Sequence, residues 1–264
     1  MRIAVTGGAT GIGRQVVELI QAQGGQVTVF DIVAPDYKVD EYIPLDLSKS
    51  DSINTALSQV KGTYDALCNV AGLPPREGNA ELGLKVNFIG TREFTEGMLA
   101  YLSEGSSIVN VASRAGAMWK DNIEQVKQLM ALSEQDDVAK FCEQNQIDYV
   151  RAYNLSKEAV IVWGMAECEA LLQRGIRINS VSPAAIETGI LQDFKNAFGE
   201  KTLKNIQRVG RAGLPSEVAS IIIFLISPQS NWLKGIDINV DGGMTACNLT
   251  DALEIPRRLP VSSL

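Results

Sequence analysis

Short apolar, β-branched runs alternate along this chain with longer stretches whose apolar residues recur at helical spacing. Residues 2–6, 27–31, 66–70, 107–111, 177–181 and 235–240 read as strands, and residues 12–23 read as a helix. Such alternation predicts an α/β architecture, a doubly wound parallel sheet with helices on both faces. No repeat, low-complexity tract or linker interrupts it, so one domain is expected over residues 1–264. Two stretches stand apart. Residues 118–149 are polar and helix-prone, which predicts an inserted helical hairpin just before Tyr153. The tail, 246–264, carries Pro256 and Pro260 and is expected to be irregular or late to dock.

Composition narrows the chemistry. Hydrophobic residues make up 45% and charged residues 21%, enough apolar material for a sizeable core. A net charge of −7 argues against nucleic acid or an anionic membrane surface as partner. The longest apolar run, 221–226, is too short to span a bilayer. There is no histidine, which removes Ser-His-Asp and Cys-His catalysis and every histidine-based zinc site. Acid/base work must come from Tyr, Lys, Asp, Glu or Cys, and no metal is expected. Cys68, Cys142, Cys168 and Cys247 form no CxxC pair and no signal peptide precedes the first strand; reduced thiols and a cytoplasmic location are expected.

Residues 6–13 read TGGATGIG, directly after the first strand and opening a helix. Gly7, Gly11 and Gly13 permit a tight turn, close backbone approach to a pyrophosphate and helix–strand packing, the pattern of a Rossmann fold. Thr10 and Ile12 lie in the same turn, where the helix N-terminus offers free N–H groups to an anion. Asp31 ends the second strand, where a carboxylate accepts hydrogen bonds from an adenosine ribose and repels a 2′-phosphate. No Arg or Lys lies in the loop before Gly11 or just after Asp31, which favours NAD over NADP. Asp46 and Leu47 could sit beside an adenine, and Asn69, Ala71 and Gly72 end another strand with small residues. For these five a purely structural reading fits equally well.

Tyr153 and Lys157, in YNLSK, stand at i and i+4, on one face of a helix. A free tyrosine titrates near 10; a neighbouring ammonium and a positively charged nicotinamide would favour the phenolate and lower that value.

Taken together, TGGATGIG, Asp31 and YNLSK make the chain resemble the short-chain dehydrogenase/reductase family over essentially its whole length. The resemblance implies further roles. Asn69 to Gly72 matches the family's NNAG strand end, with Val70 in place of the second Asn. Asn87, in VNFIG, matches the residue that holds a proton-relay water beside the catalytic Lys. Ser113, in SIVNVAS, matches the Ser that orients the substrate oxygen. SPAAIET (182–188) matches the PG motif with Ala184 replacing Gly, and there Ile186 and Thr188 would contact the nicotinamide carboxamide and phosphates. Ser113, Tyr153, Lys157 and Asn87 are thus the implied catalytic set for a hydride transfer between an alcohol and its carbonyl form, with NAD as cofactor.

Forty positions separate Ser113 from Tyr153, against about a dozen in most of the family. An insertion at this place resembles two branches, the bacterial coniferyl-alcohol dehydrogenases and the 3α-hydroxysteroid dehydrogenases/carbonyl reductases. DALCNVAG, GSSIVNVAS with GAMW, and KEAVIVW look closer to the first, which implies a bulky apolar or aryl alcohol, with a 3α-hydroxysteroid as the alternative. In the steroid branch the insertion obstructs one interface of the family's tetramers, which implies a homodimer here, with a homotetramer as the alternative. A substrate lid is expected over 189–211. Ile190, Leu191, Phe194 and Phe198 there suit a cavity wall and a core-facing stripe equally, while Trp119 and Trp163 read as packing residues. A rival class, a non-catalytic NAD-binding regulator, would tend to lack Tyr153 or Lys157.

Overall fold

The computed structural model describes residues 1–133 and 135–259. Seven strands form one sheet: β1 (Arg2–Thr6), β2 (Gln26–Asp31), β3 (Glu41–Pro44), β4 (Tyr64–Asn69), β5 (Leu102–Val111), β6 (Arg177–Pro183) and β7 (Asp237–Val240). Every pairing is parallel and the order is β3-β2-β1-β4-β5-β6-β7. The chain therefore builds outward from β1 in one direction, then returns to build from β4 in the other. Between those two strands lies the switch point where ligands bind in such sheets.

The helices are α1 (Gly11–Ala22), α2 (Ser50–Gln59), α3 (Ala80–Leu84), α4 (Gly90–Met98), α5 (Ile123–Ala131), α6 (Val138–Gln144), α7 (Tyr149–Ala166), α8 (Cys168–Gln173), α9 (Leu191–Phe198), α10 (Glu200–Val209), α11 (Pro215–Ile226) and α12 (Met244–Ala252). Side chains alternate across the strands as the period of two requires. Val5, Val29, Cys68 and Val109 enter a core beneath α1 and α11; Ala4, Phe30, Leu67 and Ile108 enter a second core beneath α2, α4 and α7. Strands buried on both faces explain why they read as continuous apolar runs.

The expected insertion is a pair of helices, α5 and α6, but it ends before Tyr149. Asp148 accepts a hydrogen bond from the Arg151 amide at 2.7 Å and so starts α7 at Tyr149. The tail differs from expectation more. Asp241 accepts from the amides of Gly243 (3.0 Å) and Thr245 (2.8 Å), and α12 follows directly. Pro256 lies beyond the end of that helix and cannot break it; Pro260 falls outside the described residues. Among the described residues no helix is long and apolar enough to cross a membrane, and no group of acidic or thiol side chains is arranged to hold a metal.

Candidate active site

A cavity of about 1530 Å³ runs along the carboxyl ends of the strands, with the glycine loop at one end and Tyr153 in the same wall. The loop after β1 is sterically committed to glycine. A Cβ on Gly7 would stand 2.6 Å from the backbone of Ala71, at a φ of +70°. One on Gly13 would stand 2.0 Å from the carbonyl oxygen of Gly7. Thr6 binds the two strand ends together, its hydroxyl accepting from the amides of Val70 (3.1 Å) and Ala71 (3.2 Å). Thr10 precedes α1 without capping it, and the first turn carries no acidic residue. The helix end therefore keeps free N–H groups and an uncompensated positive dipole facing the cavity.

Asp31 lies at the rim of this space. One carboxylate oxygen accepts from the Ala9 amide at 2.9 Å and the other from Val33 at 3.1 Å, so the charge is held beside the loop. Arg14, the cation that directly follows the glycine loop, is occupied elsewhere. It pairs with Glu18 (2.9 Å) and Asp36 (3.0 Å) and lies over the ring of Tyr37, whose hydroxyl donates to the Gly8 carbonyl. A dinucleotide fits these residues: a cradle that a Cβ on Gly7 or Gly13 would fill, unpaired N–H groups for its phosphates, and an anchored carboxylate. Asp46 and Leu47 also line the cavity. Burial disfavours the Asp46 charge, but bonds from Lys49 and Ser48 outweigh it and hold the carboxyl below its ordinary range.

The second group gathers at the ends of β4 and β5. Lys157 is buried and donates to the Val111 carbonyl at 2.8 Å, with its nitrogen 5.9 Å from the Tyr153 ring centre. Ser113 and Tyr153 lie in the same cavity wall. Burial pushes the Tyr153 phenol up to about 12, with Ser113 drawing it partly back, and pushes the Lys157 ammonium down to about 8. The expected lowering of the phenol by Lys157 is therefore not seen in the protein alone: desolvation wins over an ammonium this far from the ring and spent on a carbonyl. Asn87 sits in a π-turn, Lys85–Ile89, between α3 and α4. Its side chain accepts from the Leu73 amide (2.7 Å) and donates to the Leu73 carbonyl (3.0 Å). A Cβ on Gly72 would touch Asn87 at 3.3 Å and Lys157 at 3.4 Å, so these three converge.

Of the residues singled out in the sequence, Gly7, Thr10, Gly11, Ile12, Gly13, Asp31, Asp46, Leu47, Ala71, Gly72, Ser113, Tyr153, Lys157, Ile186 and Thr188 share the cavity wall. Asn69 does not. Its amide donates to Thr95 and Asn110, both at 2.8 Å, inside the core. Asn87 acts from behind Gly72 rather than from the wall.

Residues 189–211, where a substrate lid is expected, comprise α9 and α10, joined at Gly199 with φ +55°. Ile190, Phe194 and Phe198 face the cavity and no residue of α9 is buried, so the wall reading holds and the core reading fails for these three; Leu191 is not in the wall. Two ion pairs tie this segment to its neighbours. Arg76 grips Asp193 with two bonds (2.9 and 2.8 Å), and Arg208 reaches Asp251 of α12 at 2.6 Å. Trp163 is buried against Phe88 as expected, and Trp119 packs on the same core while also lining the cavity. The sequence carried no sign of Arg114 and Asp241. These cavity residues lie 3.4 Å apart and tie the turn after Ser113 to the start of α12.

Two family descriptions match the sequence: short chain dehydrogenase over residues 1–124 and Enoyl-(Acyl carrier protein) reductase over residues 138–245. A coniferyl-alcohol dehydrogenase of Pseudomonas sp. (strain HR199 / DSM 7063) is 33% identical over 247 residues, 93% of this chain and 96% of that protein. A 3-alpha-hydroxysteroid dehydrogenase/carbonyl reductase of Comamonas testosteroni is 30% identical, covering 92% of this chain and 96% of the relative. Among solved structures, a 3-alpha-hydroxysteroid dehydrogenase from Pseudomonas sp. B-0831 complexed with NADH superposes with a TM-score of 0.82 at 31% identity, covering 94% of this chain and 98% of its own.

Proposed function

The chain belongs to the short-chain dehydrogenase/reductase family and is an oxidoreductase, and from that premise we propose that it interconverts an aryl or other bulky apolar alcohol and its aldehyde or ketone with NAD. The observation that carries this reading is the joining of Ser113, Tyr153 and Lys157 to the Gly7–Gly13 cradle in one cavity.

Asp31 and the glycine cradle hold the dinucleotide, which supplies or accepts the hydride when bound. Ser113 and Tyr153 orient the reacting oxygen. In reduction, Tyr153, protonated at every ordinary pH, gives its hydroxyl proton to the forming alkoxide. In oxidation it takes the alcohol proton, a task that needs its phenol brought down from about 12; Lys157 alone does not do that, and the positive charge of an oxidised nicotinamide bound beside the ring would. Lys157, ionised at neutral pH, holds a ribose and restores the proton together with Asn87. The anchored negative charge of Asp31 and the occupied Arg14 support NAD over NADP.

The aryl reading is supported by the coniferyl-alcohol relative and by the apolar faces of Phe194, Phe198 and Trp119; the 3α-hydroxysteroids form the competing substrate class. Four free thiols support a cytoplasmic location. Packing of α5 on α7 and of α6 on α3 covers two helices that would otherwise be open to another subunit, which supports a homodimer.

The test is NADH formation with aryl alcohols and with 3α-hydroxysteroids, for wild type and Tyr153→Phe. Turnover of an aryl alcohol that the substitution abolishes supports the reading. Equal inertness of both proteins, with NAD still bound, would make the chain a binding protein instead.

A further inference from the structure

Glu158 follows Lys157 on α7, and its side chain is only 1% exposed. A carboxylate taken that far out of water has to be paired and hydrogen-bonded. Arg151 supplies two bonds, at 2.9 and 2.7 Å, and the side-chain amide of Asn122 supplies a third at 2.8 Å. Arg151 also donates to Gln125 at 2.7 Å, so the same cluster holds α5. A buried ion pair contributes little net stability compared with apolar residues of the same volume. What this one supplies is a fixed seat for the segment that crosses it.

Residues 116–122 are seated on α7 at both ends. At the first end a Cβ on Gly116 would meet the Lys157 backbone at 2.8 Å and the Ile161 side chain at 2.9 Å. The chain therefore passes there in contact with the helix. At the other end Asn122 bonds Glu158. The same amide nitrogen donates to the Met118 carbonyl at 3.2 Å, which also accepts from the backbone amides of Asp121 (3.1 Å) and Asn122 (3.2 Å). One side chain thus closes the turn 118–122 and pins it to the helix. Between the two anchors, residues 117–120 line the active-site cavity, and Met118 and Trp119 are the large apolar members of that stretch. The helix that seats them is the one that carries Tyr153 and Lys157.

Resting on the aryl-alcohol reading, we propose that Asn122 is a positioning residue, which fixes Met118 and Trp119 as a rigid wall and so sets the preference among alcohols of different size. Asn122 does not itself line the cavity. The reacting groups have supports of their own: Lys157 keeps its bond to the Val111 carbonyl, and Tyr153 keeps its contact with Phe194. Loosening the wall therefore changes how a long substrate is held and leaves the chemical step intact.

The experiment measures kcat and KM for benzyl alcohol and cinnamyl alcohol with NAD, in wild type, Asn122→Ala and Asn122→Asp. Glu158 keeps both Arg151 bonds in either variant, so its charge stays compensated. Wild type is expected to prefer cinnamyl alcohol in kcat/KM by at least about tenfold, a factor that apolar fit in a pocket supplies. Asn122→Ala brings the preference to within about twofold through a higher KM for cinnamyl alcohol, with kcat for both alcohols within about twofold of wild type. Asn122→Asp is nearly the same size, but it cannot donate to Glu158 and sets a second carboxylate against it; the preference is expected to be lost there too. If the preference is absent in wild type, survives either substitution, or gives way to an equal loss for both alcohols, the assignment of Asn122 falls while the aryl-alcohol reading stands. No turnover of either alcohol by wild type overturns both.

Discussion

The Tyr153 ring meets the ring of Phe194 edge to face, with centroids 5.3 Å apart and planes at 72°. Phe198 stacks on Phe194 in turn, with centroids 6.4 Å apart and planes at 7°. Tyr153 and α9 thus share one aromatic cluster.

Replacing Phe194 with Ala removes the edge contact and an apolar wall together. The kcat/KM for a bulky apolar alcohol is expected to fall about tenfold, since an aromatic pair contributes about 0.5–1.5 kcal/mol beyond its buried area. Most of the loss should sit in KM. Steady-state kinetics over a series of alcohol sizes checks this, and an effect equal for the smallest and largest substrates would count against a wall role.

Gly13→Ala places a methyl group 2.0 Å from the Gly7 carbonyl oxygen, and neither backbone segment can yield without opening the loop. NADH affinity, read by fluorescence titration, should drop at least about hundredfold as the helix N-terminus loses its phosphate geometry. Retention of near-normal affinity would mean that the cofactor binds elsewhere.

Asp31→Asn keeps the shape that meets the Ala9 amide and removes the charge. The NAD over NADP preference in kcat/KM should fall about hundredfold, because like-charge juxtaposition costs several kcal/mol. An unchanged ratio would show that something other than this carboxylate rejects the 2′-phosphate.

Lys157 titrates at about 8 in the folded protein, below its ordinary value of 10.5. The folded state therefore binds fewer protons than the unfolded chain between these values, and stability gains as pH rises through that window. The gain is complete above the unfolded value and lost as pH falls through the folded one. Tyr153, raised to about 12, has the opposite sign and contributes stability below about 10 that is lost above it. Lys157→Met should accordingly be most stabilising relative to wild type near pH 7 and lose that advantage toward pH 10. Urea denaturation at the two pH values measures the difference, which is on the order of 3 kcal/mol.

Light scattering should give a mass about twice the 28.5 kDa of the chain. A tetrameric mass would mean that α5 and α6 leave the other interface usable.

Much of the fold was legible because its signals are local. A parallel strand buried on both faces must be apolar throughout, so β1, β2, β4, β5 and β6 announced themselves. The segment that forms β3, half exposed at the sheet edge, was legible only as a further short strand ahead of Asp46, without bounds. Gly13 was legible for the same reason, its demand being made by the Gly7 carbonyl six positions away, whereas the demand on Gly7 comes from Ala71 on a distant strand end. Asn69 misled because a polar residue at a strand end suits a cofactor contact and a core bond to Asn110 equally, and only the fold says which side it faces. Pro256 misled about the tail because it constrains its immediate neighbours and not α12.

What the sequence determined by itself is the sheet, the cofactor loop, and the pairing of Tyr153 with Lys157 on one helix face, all set by spacings of a turn or less. Tertiary structure alone decided the rest. It set the titration of the Tyr153 phenol by burying it with the Lys157 nitrogen 5.9 Å from its ring. It also turned Phe194 and Trp119 into the cavity and joined Arg114 to Asp241. Those outcomes depend on how distant segments pack and on which charges they exclude from water, and no spacing along the chain records either.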